Sequence, residues 1–148
     1  VISILAIDPA TQLGWAKWDG KKIKSGTISF ENKQFDGAGM RYLKFQTWLS
    51  EQLTGVSLVA YEAVMQHSSV YASHIYGGWL CVIQSKCEDL GIPYTGVPVG
   101  TVKKFWTGSG SATKKDMIKS ARDRGHNPKD DNEADALAIL YYARENFT

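Results

Sequence analysis

The chain has 148 residues, 43% of them hydrophobic and 22% charged, with 17 Lys and Arg against 15 Asp and Glu for a formal net charge of +2. That length suits one domain with its own core, residues 1–148, and the composition excludes a disordered chain, a collagen-like repeat or a disulfide-stapled miniprotein. A charge so near balance permits nucleic-acid binding without demanding it, so the clustering of basic residues matters more than their sum.

Cys81 and Cys87 both fall in an apolar helical pattern and lack CxxC spacing, so both are expected to be reduced core residues of a cytoplasmic protein rather than zinc ligands. The opening VISILAI has no basic flank and runs straight into Asp8, unlike a signal peptide, and no apolar run has the length of a membrane span. No membrane partner is expected.

In chain order, residues 2–7 are β-branched and scarcely alternate, as in a strand buried on both faces. Residues 14–18 and 23–30 read as two further strands, joined by the hairpin signal Asp19-Gly20, so an antiparallel meander opens the domain. Residues 36–53 read as a helix with Met40, Leu43, Trp48 and Leu49 among its apolar positions, and residues 56–61 (VSLVAY) as a fourth strand stopping at Glu62. A long helix over residues 69–90 carries Ala72, Ile75, Tyr76, Trp79, Leu80, Ile83 and Cys87 on one stripe. Its central Gly77-Gly78 pair serves either a dimer seam or close packing within the chain.

Residues 94–97 make the fifth strand and residues 99–105 a short helical turn. The loop GSGSATKKD then leads into a helix that Thr113 and Asp116 can cap as a box, running to about Arg124. A last helix covers roughly residues 132–145. Strands interleaved with crossover helices predict an α/β layered domain with a five-stranded mixed sheet, three antiparallel strands followed by parallel ones, flanked by helices.

Two predicted strands end in acids, Asp8 and Glu62, and if those strands are neighbours the two carboxylates meet. The last helix adds Asp131 and Asp135, four residues apart and so on one face, which continues to Ala138, small enough to pack close to a sheet. Four converging carboxylates repel one another, and hard cations with oxygen ligands relieve the repulsion. A pair of Mg²⁺ ions is the common device for in-line phosphoryl transfer. Singly, each acid also has a structural reading, as a turn or cap residue or as a favourable charge at a helix N-terminus. The span holding Lys103, Lys104, Lys114, Lys115, Lys119, Arg122 and Arg124 is either a solvated helix face or a phosphate-contacting surface.

IDPATQLGWA at 7–16, AYE at 60–62, GSGSATK at 108–114 and DDNEADALAI at 130–139, in that order, resemble the RuvC-type Holliday-junction resolvases of the ribonuclease H-like superfamily, with the compactness of bacteriophage members. The resemblance implies a ribonuclease H-like fold and a homodimeric, metal-dependent endonuclease that nicks opposed strands of four-way DNA junctions, in the cytoplasm of a bacterial host if phage-encoded. It implies Mg²⁺, two ions per site, with Mn²⁺ able to substitute.

On the family pattern Asp8, Glu62 and Asp135 match metal-binding acids. The remaining acid is Asp131 if the fungal mitochondrial KDD arrangement applies, with Asp130 in reserve, since the bacterial position is occupied by Asn132. Lys103 and Lys114 match lysines that the bacterial family uses near the scissile phosphate or the DNA backbone, Lys114 in the catalytic role with Lys115 as its substitute if the helix starts a residue later, and Lys104 and Lys115 join them as DNA contacts. Met65 stands where the bacterial enzyme has an aromatic side chain that stacks at the junction centre, leaving His67 or Tyr71 for that task. His126 reads as a loop residue. The alternatives are a hydrolase of RNA–DNA hybrids with the same metal site, or a catalytically inactive junction-binding module.

Overall fold

The computed structural model describes residues 2–148; Val1, the first residue of the single-domain reading, lies outside them. β1 (Ile4–Asp8), β2 (Gln12–Trp18) and β3 (Ile23–Ser29) form the antiparallel meander. They are followed by α1 (Met40–Gln52), β4 (Leu58–Ala63), α2 (Val70–Leu90), β5 (Tyr94–Pro98), α3 (Val99–Thr107), α4 (Lys114–Asp123) and α5 (Asp131–Phe147). One sheet runs β3-β2-β1-β4-β5, with β1 parallel to β4 and β4 parallel to β5. This is the mixed sheet expected from the sequence, with the two acid-bearing strands adjacent. No helix among the described residues is long and apolar enough to cross a membrane.

Strand parity decides what each sheet face carries. Leu5, Ile7, Val59 and Tyr61 point to the layer of α1 and α2, where Phe45, Leu49, Trp79, Ile83 and Cys87 meet them. Ile4, Ala6, Ala16 and Ala60 point to the opposite layer and pack with residues of α3, α4 and α5. In the strand register Ala6 stands beside both Ala16 and Ala60, so a row of alanines crosses the sheet. That shallow row admits α5 closely, and its Ala134, Leu137 and Ala138 are fully buried. Asp8 and Glu62 keep the parity of Ala6 and Ala60, so both acids emerge on the face that α5 covers.

Several expectations need correcting. β1 ends on Asp8 as expected, whereas β4 starts at Leu58 rather than at residue 56 and runs one residue past Glu62, to Ala63. α1 begins at Met40 instead of residue 36, because Asp36 is engaged by the Lys33 N–H and the Lys44 ammonium ahead of two glycines. Met40 and Leu43 are exposed, and Phe45 rather than either of them anchors α1 in the core. The turn after residue 98 is a nine-residue helix. Cys81 is exposed, so only Cys87 belongs to the core. The predicted Thr113–Asp116 capping box is present. Of the α2 glycines, Gly78 is a contact within the chain, since a Cβ there would lie 2.4 Å from the Tyr42 ring of α1; Gly77 faces open space.

Candidate metal centre

Carboxylate oxygens of Asp8, Glu62 and Asp135 lie within 4.8 Å of one another, one each from β1, β4 and α5. Asp8 is only 8% exposed. Burial, and then the charges of Glu62, Asp135, Asp131 and Asp130, hold its carboxyl well above the ordinary carboxylate range. Burial also raises Glu62, against the pull of the Lys103 ammonium. Asp135 is pushed up to about 7, first by burial and then by Glu62 and Asp131, with Lys103 and Lys114 opposing. Three acids this crowded and this poorly hydrated must share protons or a cation. The donor set is oxygen only, with no His or Cys, which suits Mg²⁺, Mn²⁺ or Ca²⁺ over zinc.

The position of Asp135 depends on how α5 is seated. Gly14 of β2 pairs with Asp8 in the strand register, and a Cβ on it would fall 1.9 Å from the Asn132 carbonyl oxygen. Glycine therefore opens the notch into which the first turn of α5 drops, and no larger residue fits there without moving the helix. Asn132 meets β2 through its backbone. Asp130 is the helix cap: its carboxylate accepts from the Glu133 N–H at 2.9 Å and from the Thr27 hydroxyl at 2.7 Å. Glu133, which the sequence pattern leaves without a function, is buried, accepting from the Ser25 hydroxyl at 2.7 Å and the Lys129 N–H at 2.9 Å. β3 thus clamps the start of α5 through two hydroxyls, and Asp130, the reserve ligand, serves as the cap through one carboxylate oxygen.

Asp131 lies beside the trio rather than in it. Its Oδ2 is 3.9 Å from the Lys114 Nζ, a loose pair whose lysine is 84% exposed. Lys114 opens α4, and Lys103, in the middle of α3, acts electrostatically on both Glu62 and Asp135. Lys104 and Lys115 are exposed on the same two helices. Arg124, by contrast, stacks 3.9 Å over the Trp106 ring and donates to the carbonyls of Trp106 and Ser120, which assigns it to packing.

Beyond Glu62 the chain is fixed by Tyr76, whose hydroxyl donates to the Glu62 carbonyl at 2.7 Å and accepts the Val64 N–H at 3.0 Å. The sequence pattern marks Tyr76 only as part of an apolar stripe. His67 packs on that ring, 4.8 Å between centroids, while Met65 and Tyr71 are exposed at 87% and 67%. His126 lies 2.6 Å from the Tyr141 hydroxyl, in keeping with a loop residue that holds α5.

No protein-family model matches the chain, and no curated protein matches it by sequence. Solved structures do. The Thermus thermophilus RuvC structure is 24% identical, with a TM-score of 0.75 over 97% of this chain and 96% of that one. T. thermophilus RuvC in complex with a Holliday-junction substrate is 23% identical, with a TM-score of 0.80 over 98% and 96%. The yeast mitochondrial Holliday junction resolvase Ydc2 is 11% identical, with a TM-score of 0.62 over 92% of this chain and 75% of that one. At these TM-scores over nearly the whole chain, its five-stranded mixed sheet flanked by helices is the ribonuclease H-like fold of the RuvC structures.

Proposed function

We propose that the chain is a metal-dependent endonuclease that nicks four-way DNA junctions, and that Asp8, Glu62 and Asp135 hold its Mg²⁺. The observation that carries this reading is the convergence of three carboxylates from three separate elements, flanked by the ammonium groups of Lys103 and Lys114. Support comes from the likeness to a RuvC structure in complex with Holliday-junction DNA and to a yeast mitochondrial Holliday junction resolvase. An intact trio also disfavours an inactive binding module.

The residues divide the work. The trio binds the cation, two ions in the fuller reading, with Asp131 extending the acidic set at its edge. When bound, the cation polarises the attacking water and offsets charge on the phosphate. Lys114, exposed at the start of α4, reaches outward to balance charge developing on the phosphoryl oxygens, and Lys103 does so from α3. Lys104 and Lys115 hold the DNA backbone. Met65, in the segment after β4, and Tyr71, in the first turn of α2, are both exposed and are placed to meet bases at a branch point; His67, packed on Tyr76, supports them.

Two strands of a junction are cut by two copies of the chain, a homodimer acting in the cytoplasm, with the open face of α2 around Gly77 as the candidate seam. The test is Asp8→Asn. It is expected to abolish cleavage of a labelled four-way junction and to leave junction binding within a few-fold of wild type; undiminished cleavage would defeat the assignment.

A further inference from the structure

The Tyr76 hydroxyl bridges two backbone groups at the end of β4, donating to the Glu62 carbonyl at 2.7 Å and accepting from the Val64 N–H at 3.0 Å. We infer that Tyr76 is a positioning residue for the metal centre: its hydroxyl stands in for the strand residue that β1 lacks beyond Asp8, and so holds Glu62 in place as a ligand. The inference rests on the proposed role of the acid trio and adds to it the group that aims one of its members.

In a parallel ladder, residues of alternate parity along a strand turn their N–H and C=O groups to opposite neighbours. Val59 of β4 donates to the Pro93 carbonyl, just ahead of β5, whereas Leu58 donates to the Ser3 carbonyl, just ahead of β1. Even-numbered residues of β4 therefore face β1 with their backbone, and Glu62 is one of them. With Ile7 opposite Tyr61, residue 9 is the one due to donate to the Glu62 carbonyl and to accept from the Val64 N–H. Residue 9 is proline, which has no N–H, and β1 has already ended at Asp8. The Tyr76 hydroxyl makes both bonds instead, one as donor and one as acceptor. A phenylalanine would fill the same space and make neither.

These bonds hold Glu62 against a repulsion. Its charge and that of Asp135 bear on Asp8, and the three carboxylates lie within 4.8 Å of one another. A frayed strand end would let Glu62 swing out of that crowd and take a ligand from the cation. Tyr76 stands on a helix that is itself anchored. One turn on, Trp79 is 1% exposed and packs against the Tyr42 and Phe45 rings, with centroids at 5.0 and 5.2 Å. The seat of Glu62 is thus tied to the core through α2, while Asp135 is seated separately through α5. The same hydroxyl fixes Val64, where the segment carrying Met65 and His67 begins, so metal ligand and DNA-facing segment share one clamp.

The experiment compares wild type with Tyr76→Phe by Mg²⁺ calorimetry without DNA, amide hydrogen exchange at Val64, thermal melting, and cleavage of a labelled four-way junction across a Mg²⁺ titration. The variant keeps the ring against His67 and loses only the hydroxyl. It is expected to melt within a few degrees of wild type and to exchange the Val64 amide roughly tenfold faster or more. It is expected to bind Mg²⁺ roughly tenfold more weakly, the usual cost of losing a group that orients a metal ligand. Its cleavage deficit is expected to shrink as Mg²⁺ is raised. Mg²⁺ affinity within twofold of wild type overturns the inference, and so does a deficit that excess Mg²⁺ leaves undiminished. If the variant does not fold, Val64 in wild type decides: Mg²⁺ must slow its exchange, because a clamp that favours the bound cation is favoured by it in turn. Exchange indifferent to Mg²⁺ overturns the inference. A wild type that binds no Mg²⁺ defeats the underlying metal assignment instead.

Discussion

Asp135 has an ordinary carboxyl in the unfolded chain and is pushed up to about 7 in the fold by burial and by its acidic neighbours. The metal-free native state therefore binds the extra proton between those two values. Stability from this group is fully present below the unfolded value, near pH 4, and is lost as pH rises through about 7. Chelated protein is thus expected to melt at progressively lower temperature as pH is raised from about 5 to about 8, and Asp135→Asn to flatten that slope. A cation competes with the same proton, so Mg²⁺ affinity should climb over the same interval, with proton release in calorimetry at about pH 6 and little at about pH 9. An affinity independent of pH would remove the trio from the metal.

At this scale much of the site was legible in the sequence, because a carboxylate closing an apolar strand and two acids one turn apart are unusual enough to stand out. The duties of Asp130 and Glu133 were not legible. They depend on Thr27 and Ser25, more than a hundred residues earlier, whose hydroxyls reach them only after the sheet has formed.

Between elements, the central relation is the seat of α5 on β2. The notch at Gly14 brings the Asn132 carbonyl against the strand, and the alanine row beneath lets the helix lie close. Gly14→Ala forces helix and strand apart. It is expected to cost about 1–3 kcal/mol of stability by overpacking and to weaken Mg²⁺ binding with it, since Asp135 rides on the displaced helix. Chemical denaturation paired with metal titration checks both, and a destabilised variant with full metal affinity would show that α5 is held elsewhere.

Element order and the adjacency of β1 and β4 were readable from pattern and connectivity. The start of α1 and the exposure of Met40, Leu43 and Cys81 were not, because an apolar residue at helical spacing does not reveal how far around the helix the core extends.

For the whole molecule, a net charge of +2 conceals a local asymmetry: Lys103 of α3 and Lys114 of α4 flank an acidic centre. DNA affinity should come chiefly from such phosphate contacts and fall steeply with salt. Lys115→Ala is expected to reduce the slope of log affinity against log salt by about 1 while leaving Mg²⁺ binding unchanged. A slope equal to that of wild type in a salt titration would take Lys115 off the DNA.

The most direct measurement incubates the purified protein, beside Asp8→Asn, with a labelled four-way junction, a linear duplex and an RNA–DNA hybrid, with and without Mg²⁺. Paired symmetric nicks in the junction alone, dependent on Mg²⁺ and absent from Asp8→Asn, are the predicted result. Metal-dependent cutting of the hybrid in place of the junction, or junction cleavage that survives removal of Mg²⁺, would contradict it.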